Sequence, residues 1–256
     1  MQSEVNKRRA QRQKQARKRQ LKAAFIIFII IALIALVVMC FTIFFNIKHI
    51  STSGSKIYSK AEIYDAAGIT KDDNLLVISE KEIENRIRKK LPYVDSVKIK
   101  RNLPDKIILT ITDAKEYAYF TSGKSNFILS ENGYILKEQP KTPKNVFEII
   151  TSGIEGSVGE KAVYKNSAEE KLIGELITAL RQKQVNIDKI DVTNMLQIKI
   201  FVDNRFEVII GDSKYITEKI AHLSSMIESI SNRKGKIDLS MWTPQKSQGS
   251  FVEQKE

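Results

Sequence analysis

The run from Ala23 to Phe45, AAFIIFIIIALIALVVMCFTIFF, has no charged residue over 23 positions. As a helix it reaches about 34 Å, enough to cross a hydrocarbon layer of about 30 Å with modest tilt. Lys7, Arg8, Arg9, Arg12, Lys14, Arg17, Lys18, Arg19 and Lys22 precede it, against the single acid Glu4. That excess, set closest to the apolar run by Arg17, Lys18, Arg19 and Lys22, predicts a cytoplasmic arm over 1–22 and places the residues from 46 onward across the membrane. A cleaved signal would have a shorter apolar core and a small-residue cleavage site, whereas this run ends in Phe41, Phe44, Phe45 and Asn46. The expectation is a retained single-pass anchor over 23–45.

Charge and cysteine content narrow the classes further. The net charge is +12, of which the arm supplies eight, so the outer part has an ordinary mixed-sign surface without a nucleic-acid stripe. The one cysteine, Cys40, lies inside the apolar run, so the outer part folds without disulfides. With only His49 and His222 outside that run and no thiolates beside them, no structural zinc site is expected, and no cofactor either.

Beyond the anchor, the chain reads as two α+β domains, 46–113 and 114–243, and a flexible tail over 244–256. The arm, with little apolar content, reads as disordered in solution. Ile47–Gly54 reads as a strand, and Ser59 with Glu62 has capping-box spacing before a helix that Gly68 stops. Asp72–Asn74 reads as a turn and Leu75–Ile78 as a short buried segment. A second helix opens at Ser79, carries Ile83, Ile87 and Leu91 on one stripe and ends at Pro92. Two strands follow, around Val94–Ile99 and Lys106–Thr112, giving strand, helix, helix, strand, strand.

The second domain reads as short strands at Tyr117–Phe120, Asn126–Ser130, Tyr134–Lys137 and Val146–Ile150, with a turn at Glu131-Asn132-Gly133. A glycine loop through 153, 156 and 159 leads to a helix over Ser167–Gln184. Strands at Ile187–Val192, Leu196–Val202 and Arg205–Ile210 follow, the last two joined at Asp203-Asn204. A helix over Ile216–Ser231 and a final strand at Lys236–Leu239 complete the pattern, with Trp242 just beyond. The whole is a mixed sheet of six to eight strands with two helices.

The chemistry reads as recognition. Cys40 is on the wrong side of the membrane interface for a thiol enzyme, and no histidine stands with a nucleophile for a serine triad. Asp72/Asp73 and Glu169/Glu170 read as a turn and a helix first turn. The 153–161 glycine run lacks the Gly-Lys-Ser/Thr of a phosphate loop. Short sheets with open edges beside an anchor suit strand addition by partner chains.

Several fragments in order carry a resemblance. Phe45-x-Ile47-x-x-Ile50, Tyr58-Ser59-x-x-Glu62-Ile63 and Ala67-Gly68-Ile69 are followed by Asn74-Leu75-Leu76. Leu91-Pro92-Tyr93-Val94-x-Ser96-Val97 and Arg101-x-Leu103-Pro104-x-x-Ile107 come next. After a single apolar helix, this series resembles the POTRA domain of the bacterial cell division family called FtsQ in Gram-negative and DivIB in Gram-positive organisms. Glu131-Asn132-Gly133-Tyr134-Ile135-Leu136, Phe206-Glu207-Val208-x-x-Gly211-Asp212 and Gly235-Lys236-Ile237-Asp238-Leu239 resemble that family's β domain. Glu131 and the stretch Thr112–Glu116 depart from its pattern.

The resemblance implies a non-enzymatic divisome component at the septum that binds FtsL-like and DivIC/FtsB-like coiled-coil membrane proteins and acts indirectly on the septal peptidoglycan synthase. It assigns partner binding to Gly235, Ile237, Asp238, Leu239, Met241 and Trp242. Tyr58, Glu62, Gly68, Pro92, Tyr93, Val94, Arg101 and Pro104 become the surface and core of the POTRA domain. Trp242 reads equally as a core plug and as a partner anchor. A docking module of a secretion, spore-envelope or other envelope-assembly system is the alternative.

Overall fold

The computed structural model describes residues 2–71, 73–230, 233–246 and 249–254, with the backbone alone for 2–20 and 23. Asp72 of the expected turn, Ser231 of the expected helix, residues 247–248 and 255–256 of the expected tail, and the side chains of Arg17, Lys18 and Arg19 lie outside the described residues. By packing the chain divides into two compact units: residues 1–52, 69–80 and 99–109, and residues 53–68, 81–98 and 110–256.

In the first unit, α1 (Gln2–Phe44) is one helix of 43 residues. It continues through the arm, where the sequence predicted disorder. Gln, Lys, Arg and Ala are strong helix formers, and no Gly or Pro interrupts them, so the apolar helix propagates back through the arm. Ala24–Phe44 is long and apolar enough to cross a membrane, and none of it is buried inside the protein. Past its end the chain pairs with the loop at 73–75: Ile47 N–H donates to Asp73 O at 3.0 Å and Leu75 N–H to Phe45 O at 2.8 Å. Leu75 is fully buried, but Leu76 is 40% and Val77 82% exposed, so 75–78 is a turn and not a buried segment. Asn74 organises it, its Oδ1 accepting from Leu76 N–H and its carbonyl from Val77 and Ile78 N–H.

β1 (His49–Ser53), β2 (Val94–Asn102) and β3 (Lys106–Asp113) form a three-stranded sheet with β3 central. Two helices stand between β1 and β2 in sequence. α2 (Lys60–Ala67) begins with the predicted capping box: Glu62 N–H donates to Ser59 Oγ, and Ser59 N–H to the Glu62 carboxylate at 2.8 Å. Gly68, at φ 57°, closes it in the left-handed conformation that glycine adopts without steric cost. α3 (Glu80–Lys90) buries Ile83, Ile87 and Arg88.

The second unit is dominated by a nine-stranded mixed sheet. Its first strands are β4 (Glu116–Ser122), β5 (Ser125–Ser130), β6 (Ile135–Gln139) and β7 (Phe147–Ile150). The glycine loop contains a small hairpin, β8 (Ile154–Glu155) with β9 (Val163–Tyr164), too short to carry a periodic signal. α4 (Ser167–Gln182) is capped by Asn166, whose Oδ1 accepts from Ala168 N–H. Then come β10 (Ile187–Asp191), β11 (Ile198–Val202), β12 (Phe206–Gly211), α5 (Ile216–Ser229), β13 (Gly235–Asp238) and β14 (Ser250–Glu253).

The strand order is β14-β13-β12-β11-β10-β7-β4-β5-β6. β7 with β10 and β12 with β13 are parallel, which requires long crossovers, and these carry α4 and α5. The two helices pack against each other and share one core with the sheet. Asp203 and Asn204, at φ 55° and 52°, make the predicted β11–β12 turn. One register row crosses all nine strands: Lys137, Ile128, Tyr119, Glu148, Lys189, Phe201, Glu207, Lys236 and Val252. It lies on the face opposite the helices and pairs opposite charges, with Lys189 at 2.7 Å from Glu148.

Candidate partner-docking edge

Gly235, Ile237, Asp238 and Leu239 lie on or just past β13, yet β13 is not the edge of the sheet. β14 pairs antiparallel with it, Gly235 opposite Glu253 and Asp238 opposite Ser250. The stretch read as a recruiting edge is therefore an interior strand, and part of the stretch read as a flexible tail is the outermost one. Gly235 is what lets β14 approach: a Cβ there would stand 2.2 Å from Val252 O and 2.8 Å from the Phe251 ring. Gly249 serves the entry of the strand, since its Cβ would meet Leu239 at 2.9 Å and Met226 at 3.0 Å.

Ile237 and Leu239 are fully buried in the core. Asp238 is half-buried, and its Oδ1 accepts from Ser240 N–H at 2.8 Å, turning the chain out of the strand. Trp242 is 7% exposed and belongs to the core, its ring 5.8 Å from that of His222. It is a plug over the sheet. Met241, 80% exposed, is the one side chain of the six that faces solvent.

β14 itself is thinly held. Phe251 packs against the core with its ring edge-on to Phe206 at 6.2 Å, while Ser250, Val252 and Glu253 are exposed. Arg233 flanks it, 6.0 Å from the Phe251 ring centroid and 4.0 Å from Glu253. Beside it an open groove of about 650 Å³ is lined by Lys189, Phe201, Arg205, Glu207, Lys236 and Val252 among others. Among the described residues, no strand pairs with the outer side of β14, and apolar and charged side chains lie in reach, as strand addition requires.

The residues assigned to the POTRA domain serve its packing. Tyr93 N–H donates to the Tyr58 hydroxyl at 3.1 Å, and the Tyr93 hydroxyl donates to Glu116 at 2.7 Å. Burial, and then the Glu116 bond and charge, push the Tyr93 hydroxyl far up; burial also raises Tyr58. Burial works against the Glu116 charge, but its bonds to Lys137 and Tyr93 outweigh that and lower its pKa. Glu62 is held low by the Ser59 bonds of the capping box, and Gly68 ends α2. Pro92 follows α3, and Val94 is buried, its carbonyl accepting from Arg88 at 3.1 Å. In the first unit, Arg101 donates to Ile78 O at 3.0 Å and lies 3.2 Å from Glu80, while Pro104 is exposed in the β2–β3 turn.

Sequence reasoning missed Arg88, which is buried, bonded to Glu84 at 2.7 Å and stacked 4.3 Å over the Tyr134 ring. It also missed Asn132, bonded to Asp95 at 2.6 Å, and the close approach of Gly159 to the Arg88 carbonyl. The four-residue spacing of Glu84 and Arg88 was a local signal. Their partners around 132–160 carried none.

Residues 45–113 match the family model of the POTRA domain, FtsQ-type. Similar proteins include the cell division protein DivIB of Clostridium tetani, 27% identical over 189 residues that cover 72% of this chain and 70% of that one. The chain is similar over about three quarters of its length to proteins named cell division protein DivIB, and its 45–113 segment has the sequence of an FtsQ-type POTRA domain. DivIB of Clostridium acetobutylicum is 25% identical over 77% of this chain and 80% of its own. The cell division protein FtsQ of Streptomyces coelicolor is 27% identical over 100 residues, 39% of this chain and 38% of that one. The α+β fold, the N-terminal apolar helix and the POTRA domain agree with what the sequence implied.

Proposed function

We propose that this protein is a non-enzymatic, single-pass scaffold of the division machinery, with its arm in the cytoplasm and its 46–113 and 114–243 domains outside, at the septum. It binds FtsL-like and DivIC/FtsB-like coiled-coil membrane proteins at the β12–β14 end of the large sheet and acts on the septal peptidoglycan synthase through them. The observation that carries this reading is the thinly held terminal strand, whose outer edge pairs with no other strand among the described residues, beside a groove of mixed charge. The division role is supported by the DivIB and FtsQ homologues, and the orientation by the basic arm.

The test is capture of partners by the tagged full chain from solubilised membranes, beside a chain lacking residues 249–256 and a Gly235→Val chain. Addition outside β14 predicts loss of the small single-pass coiled-coil division proteins with both variants. Replacement of β14 by the partner strand predicts stronger capture by the truncated chain and loss with Gly235→Val. Capture that neither variant alters would remove the partner from this edge.

A further inference from the structure

The exit of α1 carries a feature that neither the family resemblance nor the partner edge accounts for. The Asn74 side-chain amide donates to Phe41 O at 3.1 Å and Thr42 O at 3.4 Å, two of the last-turn carbonyls that a helix end leaves without partners. Those carbonyls belong to the apolar span, which ends at Phe44. Asn46 bridges Asn74, and Leu75 N–H donates to Phe45 O, so the 73–75 segment is strapped to the last turn of the span. The β2–β3 turn is tied to the same exit, with Asp105 O accepting from Lys48 N–H at 2.9 Å and His49 N–H at 3.1 Å.

From these two straps project aliphatic side chains that the protein leaves uncovered: Leu76 40%, Val77 82% and Leu103 59% exposed. A solitary exposed aliphatic needs no explanation. Three of them, on the two loops bonded to the end of an apolar span, do. Val77 lies three residues from Asn74, at most about 10 Å away, while the headgroup layer on each side of the hydrocarbon is about 5–7 Å deep. Lys48 and Lys71 are exposed beside the straps, Lys48 3.9 Å from Asp105 of the turn, and such long side chains keep their charged ends at the headgroup level while their stems lie along apolar surface.

We propose that the 73–78 loop and the 103–105 turn form a lipid-seated collar around the exit of α1, with Leu76, Val77 and Leu103 inserted at the headgroup–acyl boundary and Asn74 as its latch. The collar rests on α1 crossing the bilayer and is independent of the partner edge. It converts a flexible tether into a fixed seat, so the first residues beyond the membrane are held at a set height.

The full chain, reconstituted at one copy per nanodisc with phosphatidylcholine and phosphatidylglycerol, tests this by nitroxide accessibility. Labels at Val77→Cys, Leu103→Cys and Met241→Cys in a Cys40→Ser background are compared with a label on native Cys40. The collar predicts an oxygen-over-nickel-chelate collision ratio at 77 and 103 several-fold above that at 241, and a fall at 77 when Asn74→Ala is added. Ratios at 77 and 103 equal to that at 241, with Cys40 showing the membrane signature, would overturn the collar alone. Low collision with both reagents would mean cover by protein and overturn it too. An aqueous signature at Cys40 would instead remove the membrane anchor and the collar with it.

Discussion

Trp242 separates packing from recognition. Its ring is in the core, while its Nε1 is buried without a hydrogen-bond partner among the described residues. Replacing indole by phenyl therefore removes an unsatisfied donor along with some contact. Trp242→Phe is expected to change stability in urea melts by no more than about 1 kcal/mol, whereas Trp242→Ala costs about 3–5 kcal/mol. Partner capture should survive the first change. Lys219 offers a sharper case: fully buried, it donates to Ile210 O at 2.8 Å and to Asp212 O and Oδ1 at 3.2 Å. Lys219→Met keeps the volume but strands those acceptors, and a loss of about 2 kcal/mol is expected in the same melts. Asp188 behaves oppositely. Burial raises its pKa against the bond from Asn204 N–H, and Asp203 adds repulsion. A carboxyl whose folded pKa is raised is penalised in its charged form, and the penalty is complete above the folded value and relieved as pH falls through it. Asp188→Asn should raise the thermal midpoint at pH 7, by an amount that vanishes below the carboxylate range.

At the scale of elements, legibility followed the range of the interactions. The Ser59/Glu62 box, the Gly68 stop and the Asp203-Asn204 turn are written in residues within three or four positions of one another, and each formed as read. β14 is different: Ser250–Glu253 has a single inward anchor, Phe251, and becomes a strand because Gly235, some fifteen positions earlier, leaves room for it. Leu75–Ile78 misled in the other direction, since apolar content suggested burial where Asn74 instead makes a turn. β14 also yields a prediction. Gly235→Val should release it, seen as faster amide exchange over 250–254 while β11 and β12 stay protected; unchanged exchange would mean that the strand accommodates a side chain there.

For the whole molecule, the broad plan was open to sequence reading because hydrophobic period and turn chemistry specify it: an apolar span, a β-α-α-β-β unit and a mixed sheet with two helices. The identity of the sheet's outermost strand was not, because strand order depends on pairings distant in sequence. That order decides where a partner can add. Photo-crosslinking in dividing cells tests the point most directly, with a reactive side chain placed at Val252 on the terminal strand and, for comparison, at Leu196, which is 81% exposed elsewhere. The docking edge predicts adducts with small coiled-coil division proteins from position 252 and none from 196. Adducts of equal yield at both positions, or none at 252 in cells that divide normally, would contradict it.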